Sequence, residues 1–122
     1  MHETPVISVV DDDAWSREGI RSLLQSLGYH AVAFASAEQF IKSDSVRCTA
    51  CLITDLQMPG LSGFDLQRHL KNEGHQIPII FVTAYPEERY RVRALAAGAI
   101  CFLSKPFEEE ALISCLRTVI SE

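Results

Sequence analysis

The chain has 122 residues, 48% of them apolar and 22% charged, with a net charge of −5. That is the size and balance of one globular domain whose core needs no disulfide or structural metal. The acidic balance argues against a nucleic-acid-binding surface. No apolar run approaches the about eighteen residues of a membrane span, and the polar N-terminus does not read as a signal peptide.

"VISVV", Val6 to Val10, is short, apolar and β-branched, which predicts a strand buried on both faces. Ile20, Leu23, Leu24 and Leu27 then fall at i, i+3, i+4 and i+7, one stripe of a helix that Gly28 stops. "HAVAFA" (His30 to Ala35) reads as a second strand. Ser36 and Gln39 stand at capping-box spacing and open a short helix. "ACLITD", ending at Asp55, is the third strand. Ser62 caps a helix through Phe64, Leu66 and Leu70 that ends at Gly74. Ile77 to Thr83 is the fourth strand, with Pro78 confined to its beginning. Pro86 sits in the first turn of the next helix, which stops at Gly98. Ala99 to Ser104 is the fifth strand. Leu112, Cys115, Leu116 and Val119 form the stripe of the last helix.

Strict alternation of strands and helices implies an α/β fold, a parallel sheet with helices on both faces. With no repeat, linker or low-complexity segment, residues 1–122 read as one domain with no output domain attached. Cys48 and Cys51 make a C-x-x-C, but no second pair or paired histidine completes a zinc set, and Cys51 and Cys101 lie in apolar strand runs. The expectation is reduced, mostly buried thiols in a cytoplasmic protein.

The polar residues are informative by where they fall. The first strand ends in Asp11-Asp12-Asp13, the third in Asp55, the fourth in Thr83 and the fifth in Ser104-Lys105-Pro106. All strand C-termini of a parallel sheet share one edge, and ligands bind there where the strand order reverses. In the order 2-1-3-4-5, Asp11, Asp12 and Asp55 converge from adjacent strands. Crowded carboxylates repel, and a divalent cation relieves the repulsion. Few protein oxygens with several waters suit Mg2+ better than Ca2+. Asp55 is then an ionised nucleophile, with Lys105 and Thr83 as a positive charge and a hydroxyl beside a tetrahedral anion. Taken singly, each residue has a blander reading: Asp13 caps the first helix, Asp55 forms a turn, Thr83 ends a strand, and Lys105 is solvated. The joint pattern favours phosphoryl acceptance.

"VVDDD", "ITDLQMPGLSG", "VTA" and "LSKPF" occur in order and at spacings that resemble the receiver domain of two-component response regulators, over nearly the whole chain. "TDLQMPGLSG" with the downstream "KPF" is most similar to FixJ-like regulators, which commonly join a receiver to a LuxR-type DNA-binding domain. The resemblance implies a flavodoxin-like, CheY-like (βα)5 sheet of order 2-1-3-4-5. It makes Asp55 the phosphoacceptor, and Asp11, Asp12, Asp55 and the Gln57 carbonyl the ligands of Mg2+ or Mn2+. Thr83 becomes the switch hydroxyl, Lys105 the phosphoryl-pairing lysine, Phe102 the switch aromatic and Lys105–Pro106 a cis peptide. Phe102 lacks the hydroxyl of the tyrosine that many receivers carry there. A sensor histidine kinase is the implied partner. A homodimer through the fourth helix, fifth strand and fifth helix is the implied response, and transcription control the implied output. Direct nucleic-acid or membrane binding is not implied. Arg89, Arg91 and Arg93 read as solvated charges on the fourth helix, and Trp15, outside the first stripe, as a kinase contact. A signalling domain rather than an enzyme follows. A dehalogenase-type aspartyl phosphatase wants its nucleophile on the first strand and a longer chain. A pseudo-receiver has usually lost one of the acidic, threonine or lysine residues, and a stand-alone regulator acting by protein contact reads identically.

Overall fold

A computed structural model describes residues 5–120; the polar N-terminal residues 1–4 lie outside them. Among the described residues the chain runs β1 (Val6–Val10), α1 (Ala14–Ser26), β2 (His30–Phe34), α2 (Ala37–Lys42), a 3-10 helix (Asp44–Cys48), β3 (Thr49–Asp55), α3 (Gly63–Asn72), β4 (Ile79–Thr83), α4 (Glu88–Ala96), β5 (Cys101–Ser104) and α5 (Glu109–Val119). All the strand pairs are parallel, in the order β2-β1-β3-β4-β5. No helix among the described residues is long and apolar enough to cross a membrane.

Strand alternation divides the interior in two. Ile7, Val9, Cys51, Ile53, Ile80 and Val82 pack with Ile20 and Leu24 of α1 and Leu112 and Leu116 of α5. Val10, Leu52 and Phe81 pack on the other face with Phe40 of α2, Leu66 and Leu70 of α3, and Ala94 of α4. A strand covered on both sides needs apolar residues at successive positions, which is why these strands lack a polar alternation. Ser8 is the exception in β1. Its buried hydroxyl is satisfied by that of Thr49 at 2.6 Å.

The helix starts follow their capping residues. Asp13 Oδ1 accepts from Trp15 N–H at 3.1 Å, so this aspartate caps α1. Ser36 accepts from Gln39 N–H at 3.1 Å, whereas the Gln39 side chain reaches back to Ala35 N–H, one residue before the cap. Ser62 and Asp65 form a reciprocal capping box at α3, with bonds of 3.1 and 2.9 Å. The stop residues Gly28, Gly74 and Gly98 all take positive φ.

Five details differ from the sequence reading. The 3-10 helix was not anticipated. β4 starts at Ile79, beyond Pro78, and Leu27 at the end of the α1 stripe is 38% exposed. Pro86 precedes α4 instead of entering its first turn; Glu87 is the N-cap residue and makes no side-chain cap bond. The cysteines are the fifth. Cys101 and Cys115 are joined by a disulfide, while Cys51 is a buried free thiol and Cys48 an exposed one. Cys101 shares the α5 side of β5 with Leu103, and Cys115 belongs to the sheet-facing stripe of α5, so packing brings together residues 14 positions apart.

The Asp65 carboxyl is held below the usual range, first by the Ser62 N–H that it accepts. A carboxyl whose pKa is lowered on folding adds stability above its unfolded pKa and loses it as pH falls through the folded value. Ser62→Ala is therefore expected to cost about 1 kcal/mol at neutral pH in urea unfolding. The cost of Asp65→Asn should be present at neutral pH and fade on acidification through the lowered Asp65 pKa.

Candidate functional site

Register decides what meets at the C-terminal edge. Val10 of β1 lies opposite Thr54 of β3, so the residues that follow, Asp11 and Asp55, emerge side by side. β4 pairs with β3 through Asp55 and Val82, and with β5 through Thr83 and Ser104, which brings Thr83 and Lys105 to the same edge. Lys105 N–H donates to the Thr83 carbonyl at 2.7 Å, fixing the start of the loop after β5. The Lys105–Pro106 peptide is cis.

One carboxylate oxygen from each of Asp11, Asp12 and Asp55 lies within 4.8 Å of the others. Asp11 is fully buried, Asp55 is 8% exposed and Asp12 is exposed. Lys105 Nζ donates to Asp11 Oδ2 at 2.7 Å and to Asp55 Oδ2 at 2.9 Å. The other Asp55 oxygen accepts from Leu56 N–H at 2.6 Å and Gln57 N–H at 3.3 Å. Asp11 Oδ1 accepts from Asp13 N–H at 2.9 Å. Each buried oxygen thus has a donor, as buried carboxylates require.

The charges do not balance: three carboxylates face one ammonium. Burial pushes the Asp55 pKa up; the Lys105 hydrogen bond and charge oppose this, and the Asp11 charge adds to it. Burial alone would lower the Lys105 pKa, but its hydrogen bonds to Asp11 and Asp55 outweigh burial and raise it. The ammonium therefore stays protonated, and ionised Asp55 works against the folded state. A hard cation relieves that. Clustered carboxylate oxygens, with Asp12 exposed beside buried Asp11 and Asp55, fit a Mg2+-sized ion, and these are the side chains that would hold it.

The other singled-out residues take these positions. Thr83 is fully buried, and its Oγ1 accepts from Tyr85 N–H at 3.0 Å. Gln57 is exposed directly after the acceptor turn. Phe102 is half-buried, its ring 6.5 Å from that of Phe81, on the α4 side of the sheet. Trp15 is 89% exposed beside the acidic loop. Arg89 and Arg91 lie against glutamates at the start of their own helix, whereas Arg93 stacks on Phe64, 4.1 Å from the ring centroid.

Four supporting residues had no role at the site in the sequence reading. Arg17 Nη1 donates to the Asp11 carbonyl at 2.8 Å, holding the acidic loop from α1. Glu38 reaches from α2 to the turn after Asp55 and accepts from Leu61 N–H at 3.2 Å. A Cβ on Gly60, where φ is +78°, would strike that carboxylate. A Cβ on Gly63 would collide with the Asp55 carbonyl, so α3 starts this close to the site only with glycine there. The "GLSG" spacing carried a signal for the two glycines; Arg17 and Glu38 had none.

The C-terminal edge of the five-stranded parallel sheet thus carries a buried aspartate at the end of its central strand, bridged to a second one by the lysine that follows the last strand. The response regulator receiver domain model matches residues 7–117, and the chain belongs to that family. The chain is 43% identical to the response regulator protein TmoT of Ectopseudomonas mendocina, over 94% of the chain and 52% of the relative. It is 33% identical to the transcriptional regulatory protein FixJ of Bradyrhizobium diazoefficiens, over 95% of the chain and 57% of the relative. Among solved structures, the response regulator StyR superposes with a TM-score of 0.88 at 43% identity, covering 96% of this chain and 59% of that one. FixJ-N superposes at 0.85 and 32% identity, covering 98% and 94%. The chain thus spans about half the length of the curated relatives it matches.

If the acidic cluster binds the cation, Mg2+ at 100 times its dissociation constant should stabilise the fold by about 2.7 kcal/mol, read as a rise in melting temperature. Exposed Asp12, changed to alanine, should leave the fold intact and lose that rise. An equal rise in both proteins would place the ion elsewhere.

Proposed function

We propose that this chain is the phosphoryl-receiving module of a two-component signalling protein, with Asp55 as acceptor and a histidine kinase as donor. The observation that carries the reading is the Lys105 ammonium lying between Asp11 and Asp55, with three carboxylates around it and, among the described residues, no second positive side chain bonded to them. The Asp55 oxygen facing Lys105 attacks the phosphorus of a phosphohistidine in line. The phosphorus–nitrogen bond breaks, the imidazole leaves, and an acyl phosphate forms on Asp55. Backbone N–H groups of Leu56 and Gln57 hold the other oxygen and fix the direction of attack. Asp11, Asp12, Asp55 and the Gln57 carbonyl would hold Mg2+, which would supply charge neutralisation for the transferring group. Mn2+ has the same preference for oxygen and serves as well.

Lys105 and the Thr83 hydroxyl then pair with the phosphoryl oxygens. Thr83 gives up its bond from Tyr85 N–H and moves, and Phe102 turns into the space beside it. The altered surface is that of α4, β5 and α5, through which two copies pair. Exposed Trp15, beside the acidic loop, is the kinase contact. The module works in the cytoplasm. Relatives about twice as long include transcriptional regulatory proteins, which supports transcription control through a LuxR-type DNA-binding domain as the output.

Incubation with a small acyl phosphate and Mg2+, followed by intact-mass measurement, tests this. The wild type should gain one phosphoryl group, while Asp55→Asn, or the wild type with chelator, should gain none. An unchanged wild-type mass would reduce the chain to a binding module.

A further inference from the structure

The disulfide between Cys101 and Cys115 has no part in phosphoryl acceptance, yet it encloses residues that do. The chain between the two sulfurs contains Phe102, Lys105, Pro106 and the first turn of α5. Cys101 and Leu103 point to the side of the sheet that packs on α1 and α5, and Phe102 between them points to the α4 side. The Cα atoms of Cys101 and Cys115 stand 6.3 Å apart, within the span that a disulfide bridges without backbone movement. Their accessibility differs: Cys115 is 7% exposed and Cys101 is only half-buried, so an attacking reagent meets Cys101 first. The free thiols offer no rival pair. Cys48 is exposed and in no disulfide, and burial pushes the Cys51 thiol up to about 12, which keeps it protonated and inert.

We propose that Cys101 and Cys115 are a reversible redox-modification site that takes a small-molecule disulfide of the glutathione class as oxidant and, when closed, restrains the loop that carries Lys105. The step is thiol–disulfide exchange. The Cys101 thiolate attacks one sulfur of the small disulfide, forming a mixed disulfide and releasing one thiolate. Cys115, deprotonated, attacks Cys101 Sγ and expels the second. The two protein protons end on the two released thiols, and two electrons pass from the protein to the small disulfide. A dithiol reverses the sequence. Disulfides in reducing compartments are usually transient and redox-sensing, and a pair poised across a short loop suits that behaviour. Closing the loop removes open conformations of the β5–α5 connection, and with them excursions of Lys105 from Asp11 and Asp55. The thiol chemistry stands by itself; its consequence for signalling rests on the phosphoryl reading above.

The test uses Cys48→Ser protein, so that the exposed thiol is silent. Treated with glutathione disulfide and quenched by alkylation under denaturing conditions, it should carry an alkyl group on Cys51 alone, where the reduced protein carries them on Cys51, Cys101 and Cys115, and yield a cross-linked Cys101–Cys115 peptide. A dithiol should restore both alkylation sites. Amide exchange over residues 102–114 should be slower by roughly threefold or more in the closed form. Cys101→Ser in the same background, checked for native circular dichroism, should lose both effects. A lasting glutathione adduct on Cys101, an unchanged mass, or equal exchange in the two forms would overturn the proposal. These readouts involve no phosphoryl group, so failure of phosphoryl uptake in both redox forms would count against the phosphoryl reading alone.

Discussion

The structure turns on one ammonium shared between two buried carboxylates. Lys105 Nζ lies 2.7 Å from Asp11 and 2.9 Å from Asp55, and without it the adjoining ends of β1 and β3 would set bare negative charges side by side. A buried charge stripped of its partner is costly, so the lysine is part of the fold as much as of the chemistry. It is still too little. Asp12 adds a third carboxylate, and the Asp55 pKa remains raised despite the bond. The deficit of positive charge is the property that a metal cation and the Lys105 pairing answer together.

Everything else positions that contact. Parallel pairing of β1 with β3 sets the acids side by side, and pairing of β4 with β5 brings up Thr83 and Lys105. Gly63 lets α3 begin against the Asp55 carbonyl, Glu38 pins the intervening turn, and Arg17 anchors the carbonyl of Asp11. On the α4 side, Phe81, Phe64, Tyr90 and Phe102 form a chain of ring contacts from the central strands outward, with Arg93 stacked on Phe64. A movement at the Thr83 end of β4 therefore meets packed aromatic rings, which have few alternative arrangements.

Much of this was legible in the amino-acid order. Val6–Val10 agrees residue for residue with β1, because a continuous β-branched run has few other uses. Ser62 and the glycines Gly28, Gly74 and Gly98 marked helix ends through local chemistry that tertiary context did not override. The acidic cluster was legible because strand ends of a parallel sheet share an edge. Pro86 misled, since proline is tolerated in a first turn and equally before it, and the choice lay with the loop after Thr83. Arg17 and Glu38 were invisible: Arg17 reaches back to the Asp11 carbonyl and Glu38 across to the Leu61 N–H, and no periodicity or capping pattern reports a side chain bound to a loop backbone group. The Cys101–Cys115 bond was not anticipated: Cys101 lay in a predicted strand and Cys115 on the predicted stripe of the last helix, but how far α5 slides along β5 is set by packing, not periodicity.

The most direct measurement is a crystal structure of the chain grown with Mg2+ and beryllofluoride, a tetrahedral mimic of a phosphoryl group. The account predicts beryllofluoride on the Asp55 carboxylate, a metal touching Asp12 and Asp55, and Lys105 Nζ turned from Asp11 towards a fluorine. A Lys105 ammonium still spanning Asp11 and Asp55, with nothing attached to Asp55, would contradict it.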